Sequence, residues 1–184
     1  MMLAPRKVSE SRVEMVELVL PNDANPLGSI LGGKVMHLMD IAAAIAAHRH
    51  CRRAVVTASM DRVDFLHPVR VGQLVIVRAS VNHAANTSME VGIQVQSEDL
   101  NSGDRLHTAS AYATFVALGP SGRPTTVPPL ELETEEDRRR FREAEVRRAA
   151  RLRERELRRR KSGDRGAAGD AAAGGAREMQ SGGQ

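Results

Sequence analysis

Residues 25–48 read Asn25-Pro26-Leu27-Gly28-Ser29-Ile30-Leu31-Gly32-Gly33-Lys34-Val35-Met36-His37-Leu38-Met39-Asp40-Ile41-Ala42-Ala43-Ala44-Ile45-Ala46-Ala47-His48. The change of chemistry inside this stretch decides the fold. Up to Gly33 the residues are loop formers. Beyond it Ala, Leu and Met dominate without Pro or Gly, which specifies a helix. Apolar residues fall on nearly every side of that helix, so it reads as buried rather than as a surface helix with one apolar stripe. It is too short, and too closely flanked by charge, to span a membrane. One carboxylate, Asp40, stands in its middle.

The helix start carries chemical content. Gly32 and Gly33 allow a ligand to approach the backbone, because neither has a Cβ. The first amides of a helix lack internal partners and lie at the positive end of its dipole. They suit an anion or a developing oxyanion. Asp40 follows about two turns later, roughly 10 Å along the axis. Buried carboxylates are rare unless paired, so Asp40 is read as functional ahead of structural.

Working outward, Arg12 to Leu20 reads as a first strand with a change of face, explained by a bulge. Pro21 to Pro26 breaks it. After the helix come strands over 54–63, 73–84, 88–96 and 105–118, joined by short turns. The cleanest alternation places Met89, Val91, Ile93 and Val95 inward, with Ser88, Glu90, Gln94 and Gln96 outward. Short links imply antiparallel pairing. One helix against such a sheet gives an α+β class. A single helix covers only part of a curled sheet, so the remaining surface or edges point to a second copy.

The 184 residues carry 27 Lys+Arg and 23 Asp+Glu. Residues 1–130 hold 12 basic and 11 acidic side chains, whereas 131–161 hold 13 and 9. The basic balance therefore belongs to the C-terminal extension. Thr134 reads as an N-cap followed by acids, and i,i+4 pairs such as Glu136–Arg140, Glu143–Arg147, Glu154–Arg158 and Glu156–Arg160 support an exposed charged helix. Its interleaved acids read as a solvated face rather than a nucleic-acid arm, and three Phe, one Tyr and no Trp leave little for base stacking. The single Cys51 excludes an internal disulfide. No signal-peptide pattern opens the sequence, so a cytoplasmic location is expected. His48 and His50 lack a third ligand motif, and no metal is expected. The expected division is a flexible 1–11, a domain over 12–130, an arginine-rich helix over 131–161 and a disordered 162–184.

Four motifs in order resemble the YciA and brain acyl-CoA hydrolase group of hot-dog-fold thioesterases. They are Pro21-Asn22-Asp23-Ala24-Asn25 with Gly28 and Gly32-Gly33; Leu38-Met39-Asp40; Val56-Thr57-Ala58-Ser59-Met60-Asp61-Arg62-Val63-Asp64-Phe65 with Pro68, Val69 and Gly72; and Thr87-Ser88-Met89-Glu90-Val91 with Thr114 to Leu118 and Gly122-Arg123-Pro124. The resemblance implies a hot-dog fold, an antiparallel sheet wrapped around one long central helix. It implies dimers with a continuous sheet, assembled into a trimer of dimers, and hydrolysis of acyl-CoA to free acid and CoA. No cofactor is implied; the CoA thioester is the substrate. Asn25 and Asp40 fall on the family's catalytic asparagine and aspartate, contributed by opposite subunits.

On that basis the amides of Gly32 and Gly33 hold the oxyanion, and Asp40 activates water. Thr57, Ser59, Ser88 and Met89 are expected to line the substrate groove. Arg49, Arg53 and Arg123 are candidates for the CoA phosphates. No Gly-x-Ser-x-Gly elbow is present, and Cys51 has no motif around it. A non-catalytic acyl-CoA-binding or sensing protein on the same fold is the alternative.

Overall fold

A computed structural model describes residues 3–61 and 63–178, with side chains to residue 158. Arg62 of the third motif, the side chain of Arg160 and residues 179–184 of the expected disordered tail lie outside the described residues. The elements are β1 (Arg6–Lys7), α1 (Val8–Ser11), β2 (Val13–Leu18), α2 (Gly32–Cys51), β3 (Ala54–Met60), β4 (Asp64–Phe65), β5 (Leu74–Ala84), β6 (Ser88–Glu98), β7 (Arg105–Leu118), β8 (Leu130–Glu131) and α3 (Glu135–Glu178). The chain divides into two compact units, Met1–Arg142 and Glu143–Gln184. None of the described helices is long and apolar enough to cross a membrane.

The main sheet has the order β2-β5-β6-β7-β3, with β4 also paired to β7. Its pairings are antiparallel, and α2 packs against the inner side of β2, β3, β5, β6 and β7. This is the expected wrapped-helix arrangement. On β6 the inward set Met89, Val91, Ile93 and Val95 is buried, as its alternation predicts. From the helix come Val35, Leu38, Met39 and a run of alanines, Ala42, Ala43, Ala46 and Ala47, each of the four fully enclosed.

Three expectations change. The helix is not buried all round, because the sheet wraps only part of it. Met36 is 43% exposed, and Asp40, one turn on along the same stripe, is partly exposed rather than hidden; Ile45, at the opposite margin of the uncovered face, is 37% exposed. The first strand has no change of face: β2 pairs with β5 in unbroken register from Val13↔Ala79 to Leu18↔Leu74. Val16 and Leu18 simply face outward. Bulges occur instead in β3 between Thr57 and Ser59, and in β5 between Val81 and His83. Glu90, on the outward parity of β6, is nevertheless buried.

The ends of the first unit are also more ordered than the sequence suggests. β1 pairs in parallel with β8, and Val8 and Ser11 of α1 are buried. The Ser11 hydroxyl accepts from the Val81 amide at 3.0 Å. The beginning of α3 joins this unit. Thr134 Oγ1 accepts from the Asp137 amide at 3.1 Å, and Asp137 Oδ2 accepts from the Thr134 amide at 2.9 Å. This is a reciprocal cap. Phe141 stacks on His83 with ring centroids 4.9 Å apart. The domain therefore runs past 130 to Arg142. α3 is described to Glu178, beyond the expected Lys161. Along it Glu136–Arg140 and Glu154–Arg158 pair as expected, at 2.9 and 2.6 Å, while Glu135 pairs with Arg138 at 2.7 Å.

Candidate active site at the start of the long helix

The approach to α2 is a stitched loop. Asn25 Oδ1 accepts from the amides of Leu27 and Ser29, at 2.9 and 3.3 Å. The Asn25 amide donates to the Ser29 carbonyl at 2.8 Å, and Gly28 donates to the Asn25 carbonyl at 2.9 Å. Gly28 takes φ +76°, a turn conformation that disfavours a side chain. Two outside ties fix the loop: Ile30 N–H to Val69 O at 2.8 Å and Leu31 N–H to Asp23 O at 2.8 Å. Lys34 reaches back to Glu17 at 2.9 Å and Asp23 at 3.4 Å. Its ammonium is held above the usual lysine pKa, chiefly by the Glu17 hydrogen bond. With its oxygen committed to the turn, Asn25 presents the amide nitrogen, a donor, to any further partner.

The helix then opens without a side-chain cap: Leu31 occupies the N-cap position and supplies none. Lys34 and Val35 both donate to the Leu31 carbonyl, at 2.9 and 3.1 Å. The amides of Gly32 and Gly33 have no acceptor among the described residues, and both glycines are exposed. A Cβ at Gly33 would meet nothing within 4 Å.

Asp40 lies on the uncovered stripe, about two turns further on. Its Oδ1 accepts from Thr57 Oγ1 at 2.8 Å. Thr57 reaches it because β3 is the edge strand beside α2, and the bulge after Thr57 lets Thr57 pair with Phe115 and Ser59 with Thr114. The second carboxylate oxygen of Asp40 has no partner among the described residues. β3 itself is largely bare, with Val56 46% exposed.

The other expected residues are more scattered. Ser59 is exposed, and Ser88 is half-buried at the start of β6. Met89 is buried in the core, paired in register with Phe115, and does not line an open groove. Arg49, at the far end of α2, donates from Nη1 to the Arg12 carbonyl. Arg53 and Arg123 are exposed on either side of Leu118, whose strand neighbours are Ala54 and Pro124. His48 and His50 diverge: His48 is exposed, while His50 is enclosed with Nε2 2.9 Å from the Pro128 carbonyl. No group of three or more metal-ligating side chains occurs among the described residues. Cys51 is buried, and burial raises its thiol pKa, which disfavours a nucleophilic thiolate. Sequence reading placed Thr57 among groove residues; its pairing with Asp40 depends on how the helix is rotated over an edge strand, which spacing does not encode.

A sequence profile for the thioesterase superfamily matches residues 27–103. A Bacillus subtilis protein described as an uncharacterized acyl-CoA thioester hydrolase is 43% identical over 132 residues, covering 72% of this chain and 77% of that one. The crystal structure of an apo-hexameric acyl-CoA thioesterase is 41% identical, with a TM-score of 0.80, over 83% of this chain and 97% of that one. An acyl-CoA hydrolase from Staphylococcus aureus, solved with butyryl coenzyme A, coenzyme A and coenzyme A disulfide, is 34% identical, with a TM-score of 0.74, over 83% and 95%. Alanine variants of that hydrolase at an asparagine, an aspartate and a threonine have also been solved. The wrapped helix, its uncapped glycine start and these likenesses agree: the chain belongs to the thioesterase superfamily.

Proposed function

We propose that this protein hydrolyses acyl-CoA thioesters to a carboxylic acid and CoA, with Asp40 as the base that activates water. The observation that carries the reading is the 2.8 Å hydrogen bond from Thr57 to Asp40, on the same helix whose first turn, about two turns earlier, has two glycine amides without an acceptor among the described residues. Thr57 fixes one carboxylate oxygen, leaving the other to take a proton from water. The thioester carbonyl becomes an oxyanion as water attacks, and the Gly32 or Gly33 amide meets that charge. The C–S bond then breaks, and the proton held by Asp40 passes to the departing thiolate. Asn25, Asp40 and Thr57 have the same separations along the chain as the three residues replaced in the S. aureus hydrolase.

The reading includes a second copy. β3 ends the sheet with an edge unpaired among the described residues, and the stripe of α2 carrying Met36 and Asp40 is partly uncovered beside it. Two copies meeting at β3 extend the sheet, cover that stripe and bring a partner's asparagine donor to a site that already has its acceptor. Three such dimers form the hexamer.

Thiol release from a panel of acyl-CoAs, comparing wild type with Asp40→Ala, tests the chemistry. Strong loss in Asp40→Ala is expected. Full turnover in that variant removes Asp40 from the mechanism, and CoA binding without release from any chain length favours a sensor. Sedimentation analysis tests the assembly.

A further inference from the structure

The two glycines that open α2 are not equivalent. A Cβ on Gly33 would face open space, whereas one on Gly32 would lie 3.6 and 3.7 Å from Cζ and Cε2 of Phe65. The Phe65 ring therefore lies along one side of the first helical residue, and the other side is open. Backbone pairing fixes the main chain that carries it. Phe65 sits opposite Ala109 in the β4–β7 pairing, and the next amide, Leu66, donates to the Thr108 carbonyl at 2.8 Å. Yet Phe65 is 47% exposed. Leu31 and Met36, one just before Gly32 and one a turn beyond it, are exposed as well. Free polar donors rimmed by apolar side chains match a ligand that joins one carbonyl to a hydrocarbon.

Resting on the acyl-CoA hydrolase reading above, we propose that Phe65 is a specificity-determining residue: its ring is the wall against which the acyl carbon next to the thioester carbonyl packs. The carbonyl oxygen reaches the helix amides from the open Gly33 side, and the attached carbon passes the ring on the Gly32 side. A CH₂ group at that carbon lies flat against the ring. A methyl branch there points into it, and because strand pairing fixes the Phe65 backbone the ring gives way only by turning about its side-chain torsions. The enzyme therefore disfavours acyl groups branched beside the carbonyl. Discrimination by an apolar wall amounts to roughly 10–200-fold per methylene-sized change.

Butyryl-CoA and isobutyryl-CoA carry the same number of acyl carbons and differ only in that branch. The experiment measures kcat/KM for both in wild type, Phe65→Leu, Phe65→Ala and Asp40→Ala, with folding and assembly checked by circular dichroism and sedimentation. Wild type is expected to prefer butyryl-CoA about tenfold or more. Phe65→Ala narrows that preference about fivefold or more, mainly by raising the isobutyryl rate, and Phe65→Leu falls between. A wild type with no preference, or a folded and active Phe65→Ala whose ratio stays within about twofold of wild type, overturns the assignment. If Phe65→Ala does not fold, Phe65→Leu decides, and an unchanged ratio there overturns it equally. Failure of the hydrolase reading looks different: no thiol from any acyl-CoA of the chain-length panel, or undiminished Asp40→Ala. Either result removes the Phe65 assignment as well.

Discussion

The two ends of α2 are built on opposite principles. At its C-terminus the backbone is capped, and His50 and Cys51 are enclosed. Arg52 takes the left-handed conformation, φ 52°, and returns its amide to the His48 carbonyl at 2.7 Å. His50 is enclosed against Pro128, and the Cys51 thiol donates to the Arg53 carbonyl at 3.6 Å. At its N-terminus there is no side-chain cap, two glycines stand in the open, and a carboxylate follows on the uncovered stripe. A helix capped and partly enclosed at one end and left with free amides at the other is anchored by the first, and the proposed chemistry lies at the second.

Substitutions at the two ends should therefore separate activity from stability. The largest effect is expected from Asp40→Ala: about 10²–10⁴ in kcat, with the thermal midpoint nearly unchanged. A melt that fell as far as the activity would erase the distinction. Next comes His50→Ala, which removes a buried ring and its bond to Pro128. It should lose roughly 2–4 kcal/mol of stability while the surviving enzyme keeps its kcat at 25 °C. Denaturant unfolding and thiol release on the same preparation report both quantities. Thr57→Val should lower kcat about tenfold by freeing the Asp40 carboxylate to swing, since a hydrogen bond to a charged group contributes about 1.5–3 kcal/mol. Thr57→Ser, which retains the hydroxyl, should recover most of that loss.

The smallest effect is a pH dependence at the closed end. Burial lowers the pKa of His50, assisted by Arg6 and opposed by the Pro128 hydrogen bond and Glu10. The folded protein thus favours the neutral ring. Below about pH 6.5 the unfolded chain binds more protons than the folded one, so the His50 contribution, complete above that pH, is lost as pH falls through the lowered folded value. Thermal midpoints of wild type and His50→Gln across pH 5–8 should converge toward the acid end; parallel curves would exclude His50 as the source.

Much of this was legible in the sequence because it depends on local period. The alternation through Met89, Val91, Ile93 and Val95 set the inner face of β6, and the Gly32-Gly33 pair marked the helix start. What depends on a neighbour's placement was not legible. Apolar residues around α2 suggested complete burial, but the bare stripe is decided by how far the sheet curls. Val16 and Leu18 look like a face shift until the unbroken β2–β5 register shows an apolar outer side. Glu90 has the outward parity of its strand and is covered all the same. Asp40 and Thr57 were each singled out, yet their meeting across 17 residues follows only from the helix lying over an edge strand.

The alanines on the inner side of α2 have a further consequence. With only methyl groups at Ala42, Ala43, Ala46 and Ala47, helix and sheet stand close, and a protein interior so filled accepts extra methylenes only at a cost of about 1–3 kcal/mol. A fatty tail has no passage between them. In the proposed dimer it runs outside, along the seam where one copy ends and the next begins, and the longest chain accepted is then set by the fit between subunits rather than by the depth of either one.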